Sequence, residues 1–384
     1  MTPEARAIAD GFGVRLALFY AGLFVVVGIQ LPFFPLWLKA KGLDPGAIGL
    51  VLATPMVVRV LAVPVAARLA DRRGALRQLL IVGSFGAAMG YALVGWAEGL
   101  VAILAAMALT SALAAPTIPL ADAYALKGLG LRGRAYGPVR LWGSAAFIAA
   151  NLGAGFASGW MPPGGYIWLM VAAYAVTAAA SLGLGPLRPG GAPERVTPRR
   201  RRRLLPARGF VPLVAAVSLV QASHAVYYGF STLDWTAKGL DGTAIGALWA
   251  LGVAAEIVLF AFSARLPAAF GPRALLAIGA AGAVVRWSAM AFDPPAALLP
   301  LLQCLHGLSF GASFLGAVQF LARAAPDGEA ATVQGDLATI QGIVMAVATG
   351  LSGLLYGRFG DLAYIAMGAC AALGGLIVLR IRDQ

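Results

Sequence analysis

The sequence predicts an all-α polytopic membrane protein with twelve transmembrane helices arranged as two pseudo-symmetric six-helix bundles. Of its 384 residues, 60% are hydrophobic and 12% are charged, and the mean hydropathy is +0.83. Soluble domains carry about a quarter charged residues. Apolar runs of about 20 residues without strict alternation indicate membrane helices rather than barrel strands.

A self-match divides the chain into two halves. The segment 41–44, Lys-Gly-Leu-Asp, is followed by Ala-Ile-Gly at 47–49, and both recur 197 residues later (238 minus 41). The arginine-rich stretch 187–208 separates the two copies. We therefore predict an N-terminal bundle over 1–186, a basic linker over 187–208 and a C-terminal bundle over 209–384.

Gly, Pro and charged clusters divide each half into six apolar runs. The predicted spans are 14–37, 46–68, 77–97, 100–126, 134–159 and 164–186, then 209–236, 243–266, 273–292, 296–323, 331–356 and 361–380. With the N-terminus inside, 22 Lys and Arg residues fall on the side of the termini and linker, against four on the other side. This asymmetry predicts a multi-pass protein of the inner (plasma) membrane with both termini cytoplasmic.

The net charge of +13 and the run of arginines at 199–203 would suggest nucleic-acid binding in a soluble chain. Beside so many apolar spans, a cytoplasmic loop near anionic lipid headgroups explains them, and we expect no nucleic-acid partner. Cys304 and Cys370 lie in apolar runs, so the sequence predicts neither a disulfide framework nor a metal or cofactor site. Its Gly-x-x-x-Gly pairs are explained by helix packing, which leaves a monomer as the expectation.

Six charged residues fall inside predicted spans, where each costs on the order of 2.5–3.5 kcal/mol and needs a partner or water. They are Arg59, Asp122, Arg140, Glu256, Arg286 and Asp336. Arg59 and Glu256 are 197 residues apart, so they occupy matching places in the two halves. We expect Glu256 to meet Arg140, with Asp122 near Arg140, and Arg59 to face Asp336, as gating pairs. Alternatively, Asp122, Arg140 and Asp336 extend to the cytoplasmic interface.

The two histidines, His224 and His306, are the groups that ordinarily titrate near neutral pH. A histidine in an apolar helix also serves as a hydrogen-bonded packing residue. Gln221, His224, Tyr227 and Tyr228, however, are spaced three and four residues apart along one helical face. This polar and aromatic face favours a ligand cavity over lipid.

The segment 71–74, Asp-Arg-Arg-Gly, lies between the second and third spans and resembles a loop motif of the major facilitator superfamily. Two sets of six helices around a cytoplasmic linker agree with that resemblance. It implies the major facilitator fold and alternating access, with Asp71 and Arg72 among the gating residues.

Four stretches resemble the family of 3-phenylpropionate transporters more specifically: 136–144, 221–231, 248–256 and 285–287. The resemblance implies a symporter coupled to H⁺ that carries an aromatic carboxylate. Arg140 or Arg286 would bind the carboxylate, and Glu256 would titrate beside an arginine. The aromatic residues that would contact the substrate ring are Trp142, Tyr227, Tyr228, Phe230 and Trp235.

The chain also resembles the lactose permease and related sugar–proton symporters. Their acid on helix 4, arginine on helix 5, acid on helix 8, arginine on helix 9 and histidine on helix 10 are matched in order. The matching residues are Asp122, Arg140, Glu256, Arg286 and His306. Ser309 stands where those symporters have a proton-carrying carboxylate, and Phe314 replaces a histidine common in phenylpropionate-type members, so the proton carrier and the substrate stay open.

The sequence also contains a motif that is typical of an enzyme. Gly307-x-Ser309-x-Gly311 matches the nucleophile elbow of hydrolases, but that motif needs a strand, turn and helix, whereas this one lies in an apolar helix. An enzyme is therefore not expected. A sugar or nucleoside symporter and a small-molecule exporter remain alternatives, because spacing alone fixes neither the substrate nor the direction of transport.

Overall fold

The computed structural model describes residues 3–187, 210–265, 270–324 and 330–380, and these form helices joined by short turns. Grouped by the turns between them, its helices form six units on each side of residues 188–209, and the predicted linker, 187–208, lies almost entirely outside the described residues. The first six are α1 (Pro3–Ala40), α2 (Pro45–Arg73), α3 (Leu76–Trp96), α4 (Gly99–Ala114 and Thr117–Gly130), α5 (Gly137–Ala157) and α6 (Tyr166–Leu182). The second six are α7 (Phe210–Ala222 and Ala225–Ala237), α8 (Gly242–Phe262), α9 (Pro272–Ala291), α10 (Leu299–Cys304, a π-helical turn Gly307–Ala312, and Ser313–Ala324), α11 (Ala330–Phe359) and α12 (Ala363–Arg380).

By length and composition, the described residues contain ten helical segments able to cross a membrane. One of them, Val333–Arg380, contains most of α11 and all of α12, and α5 is not among the ten. The predicted all-α polytopic fold is therefore confirmed. An even number of units in each half places residues 3, 187, 210 and 380 on one face, called the linker side, and the opposite face is the far side.

The sequence repeat folds into the same turn in each half. Gly42 and Gly239 adopt positive φ angles of 80° and 87°, a conformation that glycine allows. Asp44 then accepts the amide of Ala47 at 2.8 Å, and Asp241 accepts that of Ala244 at 2.7 Å. Each aspartate thus caps the helix that begins after the turn, α2 or α8.

The far-side charges differ between the halves. Lys41 pairs with Glu98 at 2.5 Å, whereas Lys238 lies within 2.9 Å of three carboxylates. They belong to Asp234, Asp293 and Asp361. Burial alone would lower the pKa of Lys238, but hydrogen bonds to these carboxylates raise it above its ordinary value. Lys238 therefore stays charged at neutral pH and joins the far-side ends of α7, α9 and α11.

The two halves meet on the far side through glycines. Here α2 packs on α11, and α5 packs on α8. A Cβ atom built on Gly49 would lie 3.0 Å from the Cα of Gly353, and one built on Gly155 would overlap the carbonyl oxygen of Gly242. Glycine at these positions therefore lets the helix backbones approach closely, as small residues do in membrane bundles.

Towards the linker side the same helices part. No residue of α2 between 54 and 69 is buried, and none of α8 between 253 and 262 is buried. Exposed apolar side chains along these stretches include Leu61 of α2 and Val258 of α8. The molecule is thus closed between its halves on the far side and open on the linker side.

Replacing Gly155 with leucine is expected to separate α5 from α8 on the far side, because the added side chain meets the backbone of Gly242. Gly153→Leu is the matched control, since a Cβ on Gly153 meets nothing within 4 Å. Spin labels at positions 137 and 262, on the linker-side ends of α5 and α8, should approach each other in Gly155→Leu alone. Equal label distances in both variants would contradict the glycine contact.

Candidate substrate and proton site

A buried arginine is the centre of the polar site in the second half. Arg286 of α9 has no exposed surface. It donates from Nη1 to Nδ1 of His306 at 2.9 Å and from Nη2 to Oε1 of Gln303 at 2.6 Å, both on α10. Nε2 of His306 lies 2.8 Å from Oε1 of Glu256 on α8. Glu256, His306, Arg286 and Gln303 form a continuous series that we call the charge chain.

The charge chain fixes the tautomer of His306. Because an arginine N–H only donates, Nδ1 of His306 must accept, and a neutral imidazole then carries its proton on Nε2. That Nε2–H donates to Glu256, which fits an ionised carboxylate. The geometry therefore describes a neutral His306 that accepts from the positive Arg286 and donates to the carboxyl of Glu256.

The second histidine has the opposite tautomer. Nδ1 of His224 lies 3.2 Å and 3.1 Å from the backbone carbonyls of Val220 and Gln221, which only accept. Its Nε2 therefore accepts from the hydroxyl of Ser309 at 3.1 Å. His224 stands at the break between the two segments of α7, and His306 stands just before the π-helical turn of α10. Irregular membrane helices of this kind are common at transport sites.

Aromatic rings surround the charge chain. Arg286 lies over the rings of Tyr227 at 4.4 Å and Trp287 at 4.6 Å. Tyr227 stacks on Trp249 with their centroids 4.7 Å apart, and Tyr228 stacks on the same tryptophan at 6.0 Å. These contacts favour a cation in a desolvated setting.

The first half presents a separate polar group. Tyr20 of α1 and Tyr136 both donate to Oδ1 of Asp122 at 2.7 Å. Arg140 of α5 lies over the ring of Phe24 at 4.0 Å and that of Tyr20 at 5.7 Å. Tyr20 thus contacts both the predicted acid and the predicted arginine, which do not form an ion pair.

The structure brings some predicted site residues together and separates others. Seven lie in one cluster of the second half, namely Gln221, His224, Tyr227, Tyr228, Glu256, Arg286 and His306. Asp122 and Arg140 lie in the first-half group. Trp142 is 61% exposed and makes no ring contact within the described part of the chain. Asp71 and Arg72 are exposed in the last turn of α2, before the left-handed cap Gly74.

The two predicted gating pairs are not formed in this conformation. Glu256 pairs with His306 instead of Arg140, because α5 and α8 part on the linker side. Asn151 of α5 contacts Gly246 of α8. Arg140 is eleven residues from Asn151 along α5, and Glu256 is ten residues from Gly246 along α8. The two residues therefore lie at similar depths in the bundle. Their pairing in a linker-side-closed state stays a prediction.

For Arg59 and Asp336 the depths differ. Arg59 is ten residues from Gly49, whereas Asp336 is seventeen from Gly353, where the two helices touch. At 1.5 Å per residue, Asp336 lies about 10 Å further towards the linker side. Both side chains are exposed. Arg59 and Asp336 form no ion pair in this conformation, and their pairing in another conformation stays a prediction.

Sequence reasoning missed Gln303, which is fully buried and holds Arg286. Its spacing of three from His306 on one helix was an available signal. It also missed Trp249 and Trp287, which line the site; Trp287 donates to the hydroxyl of Ser223 at 2.9 Å. In the described part of the chain, no group of three or more His, Cys, Asp or Glu residues could hold a metal ion.

Comparison with known proteins gives the family. The profile of the MFS_1 like family matches residues 14–366. The chain belongs to this family. The MFS_1 like chain is 32% identical over 354 residues to the "Probable 3-phenylpropionic acid transporter" of Escherichia coli (strain K12), covering 90% of this chain and 91% of the relative. It is 29% identical over 379 residues to the maltose permease of Geobacillus stearothermophilus, covering 96% and 94%.

Solved structures agree on the fold of this MFS_1 like protein. A mutant of the nucleoside transporter NupG superposes with a TM-score of 0.86 at 14% identity, over 97% of this chain and 100% of that one. The D-xylose-proton symporter superposes with a TM-score of 0.71 at 14% identity, over 97% and 98%. The chain is therefore a multi-pass membrane transporter of the major facilitator type and not an enzyme. Its Gly-x-Ser-x-Gly sequence forms most of the π-helical turn of α10.

Removing either tyrosine hydroxyl from Asp122 is expected to cost about 1 kcal/mol, since the other still donates. The double variant Tyr20→Phe with Tyr136→Phe should cost more than the sum, because the carboxylate then loses both donors. Thermal unfolding in detergent would measure this coupling. In an Asp122→Asn background the coupling should shrink, and purely additive losses in the native background would contradict a shared acceptor.

Proposed function

We propose that the protein is a proton-coupled symporter of a small organic acid with an aromatic ring, such as 3-phenylpropionate. The observation that carries this proposal is the environment of Arg140. Its guanidinium lies against the rings of Phe24 and Tyr20, with no carboxylate of a described residue within 4 Å. A substrate carboxylate would supply the missing charge through two parallel hydrogen bonds.

Arg140 suits substrate binding better than Arg286 does. It stands on the part of α5 that lies apart from α8, whereas Arg286 is fully buried and already donates to His306 and Gln303. Aromatic faces beside a cation accommodate an acid that also carries a ring. The name of the Escherichia coli relative supports the same substrate class.

Glu256 is the proposed proton carrier. Its side chain is 15% exposed and lies where α8 leaves the contact between the halves. With Glu256 ionised, its negative charge balances Arg286, and the charge chain is neutral. Binding one proton leaves a net charge of +1, which the substrate anion offsets. Uptake of one proton with one anion follows from this balance.

The distribution of Lys and Arg supports a cytoplasmic linker side in the inner membrane. The conformation described would then face inward, with the Arg140 group open to the cytoplasm. Alternating access would close the linker side and part the far-side glycine contacts.

A sugar symporter is the second candidate. The maltose permease of Geobacillus stearothermophilus matches almost the whole chain. Asp122 receives two tyrosine hydroxyls on Oδ1, and its Oδ2 has no hydrogen bond within the described part of the chain. That oxygen would accept a sugar hydroxyl.

Proteoliposome uptake separates the two candidates. We expect radiolabelled 3-phenylpropionate to accumulate under an inward proton gradient and a protonophore to abolish the accumulation. Unlabelled 3-cyclohexylpropionate tests the ring, 3-phenylpropanol tests the carboxylate, and maltose and uridine are the neutral controls. Counterflow of maltose without uptake of the acid would overturn the proposal in favour of the sugar.

Arg140→Gln is expected to raise the KM for the acid by about tenfold to a hundredfold, because a charge-assisted hydrogen bond contributes about 1.5–3 kcal/mol. Arg132→Gln is the matched control. Arg132 is also an arginine over an aromatic ring, Phe12, but it donates to the backbone of Gly128. A KM unchanged in Arg140→Gln would exclude this arginine as the carboxylate anchor.

Glu256→Gln mimics the protonated carboxyl without allowing proton release. We expect this variant to exchange substrate across the membrane in counterflow while losing accumulation driven by a proton gradient. Wild-type accumulation by Glu256→Gln would show that another group carries the proton.

A further inference from the structure

Arg286 is a buried cation whose hydrogen-bond acceptors are both neutral. The guanidinium donates to an imidazole nitrogen and to an amide oxygen, and no carboxylate of a described residue lies within 4 Å of it. A fully buried charge usually has a charged partner, since desolvation is costly. The nearest described carboxylate along the charge chain, that of Glu256, is separated from Arg286 by the ring of His306.

Gln303 completes this arrangement from α10. Its amide must turn Oε1 towards Arg286, because the guanidinium only donates. Gln303 is fully buried, and its Nε2 has no acceptor within the described residues. Gln303 and His306 therefore hold the two terminal nitrogens of one guanidinium from a single helical face.

We propose that Gln303 is a positioning residue for proton coupling: it fixes Arg286 behind His306 with a neutral acceptor, which leaves the full positive charge acting on Glu256 without direct contact. The proposal rests on the function proposed above. A direct Arg286–Glu256 ion pair would hold the carboxylate in its charged form, and a carboxylate partner for Arg286 would cancel the charge. Either change would alter the pH at which Glu256 takes up its proton.

The other groups around the Glu256–His306 pair are known from every helix packed against it. From α7 these are His224, Tyr227 and Tyr228, and from α9 the charged group is Arg286. From α5, which packs on α8, the charged group at this depth is Arg140, which forms no ion pair with Glu256 within the described residues. Among the described residues no second carboxylate lies within 4 Å of the ring nitrogens of His306 or of the guanidinium of Arg286. Gln303 is linked to this pair through Arg286, to which its side chain is hydrogen-bonded.

Two variants are expected to shift the pH midpoint of substrate uptake in opposite directions. Gln303→Leu frees one end of the guanidinium, which can then approach Glu256 and favour the carboxylate, so the midpoint falls by on the order of one pH unit. Gln303→Glu supplies a carboxylate that neutralises Arg286, so the midpoint rises by a similar amount. A merely structural role for Gln303 would lower the rate without opposite shifts.

The matched controls are Gln319→Leu and Gln319→Glu, the same changes sixteen residues further along α10. A second readout is needed because burial of an unpaired arginine could impair folding of Gln303→Leu. Infrared titration of the purified protein follows the protonated carboxyl band that Glu256→Gln removes, and it needs no transport.

Opposite shifts at position 303, by uptake or by infrared titration, with none at 319, would support the proposal. If neither Gln303 variant shifts the pH midpoint from its wild-type value, or if both variants shift it in the same direction, the proposed role of Gln303 is wrong. The proposed function would be unaffected by either result. Wild-type uptake without any pH midpoint would overturn both.

Discussion

The hydrogen bonds of Arg286 are the constraint on which the second half of the molecule depends. A cation with no exposed surface must donate its hydrogen bonds inside the protein, and its acceptors come from α10. Those bonds fix the tautomer of His306, and the tautomer fixes its contact with Glu256 on α8. Helices α8, α9 and α10 are therefore held in register by polar contacts, because apolar packing in lipid gives little preference for one register.

The far-side glycine contacts place a different constraint on α2, α5, α8 and α11. Glycines at 49, 155, 246 and 353 let two pairs of helices touch backbone to backbone, so little side-chain repacking is needed when they part. Arg59, Arg140 and Glu256 lie between these glycine contacts and the linker side, on stretches of α2, α5 and α8 that face the opening. Movement of one half against the other would therefore change the surroundings of Arg140 and Glu256 while leaving Arg286 in its own bundle.

The sequence predicts the helices in more detail than the contacts within the site. The membrane spans and the repeat can be predicted from the sequence, because an apolar run of about 20 residues and a capped Gly-Leu-Asp turn are local features. The face of α7 that carries His224 and Tyr227 follows from helical periodicity. The partner of Arg286 does not, since it depends on how α9 and α10 align. The six charged residues inside the predicted spans are three cations and three anions, which suggests an anion for each cation, but Arg140 contacts aromatic rings instead of an anion.

Charge balance links these features to transport. A site that crosses between the two faces of a low-dielectric bundle moves most easily when it is neutral. Under the proposed function the empty site is neutral, because Glu256 offsets Arg286 and Asp122 offsets Arg140 without direct contact. The loaded site keeps the same net charge because a proton enters with an anion. A site holding only the proton, or only the anion, carries one unbalanced charge. The half-loaded states then reorient slowly because they are charged. This charge penalty is sufficient to couple proton transport to substrate transport.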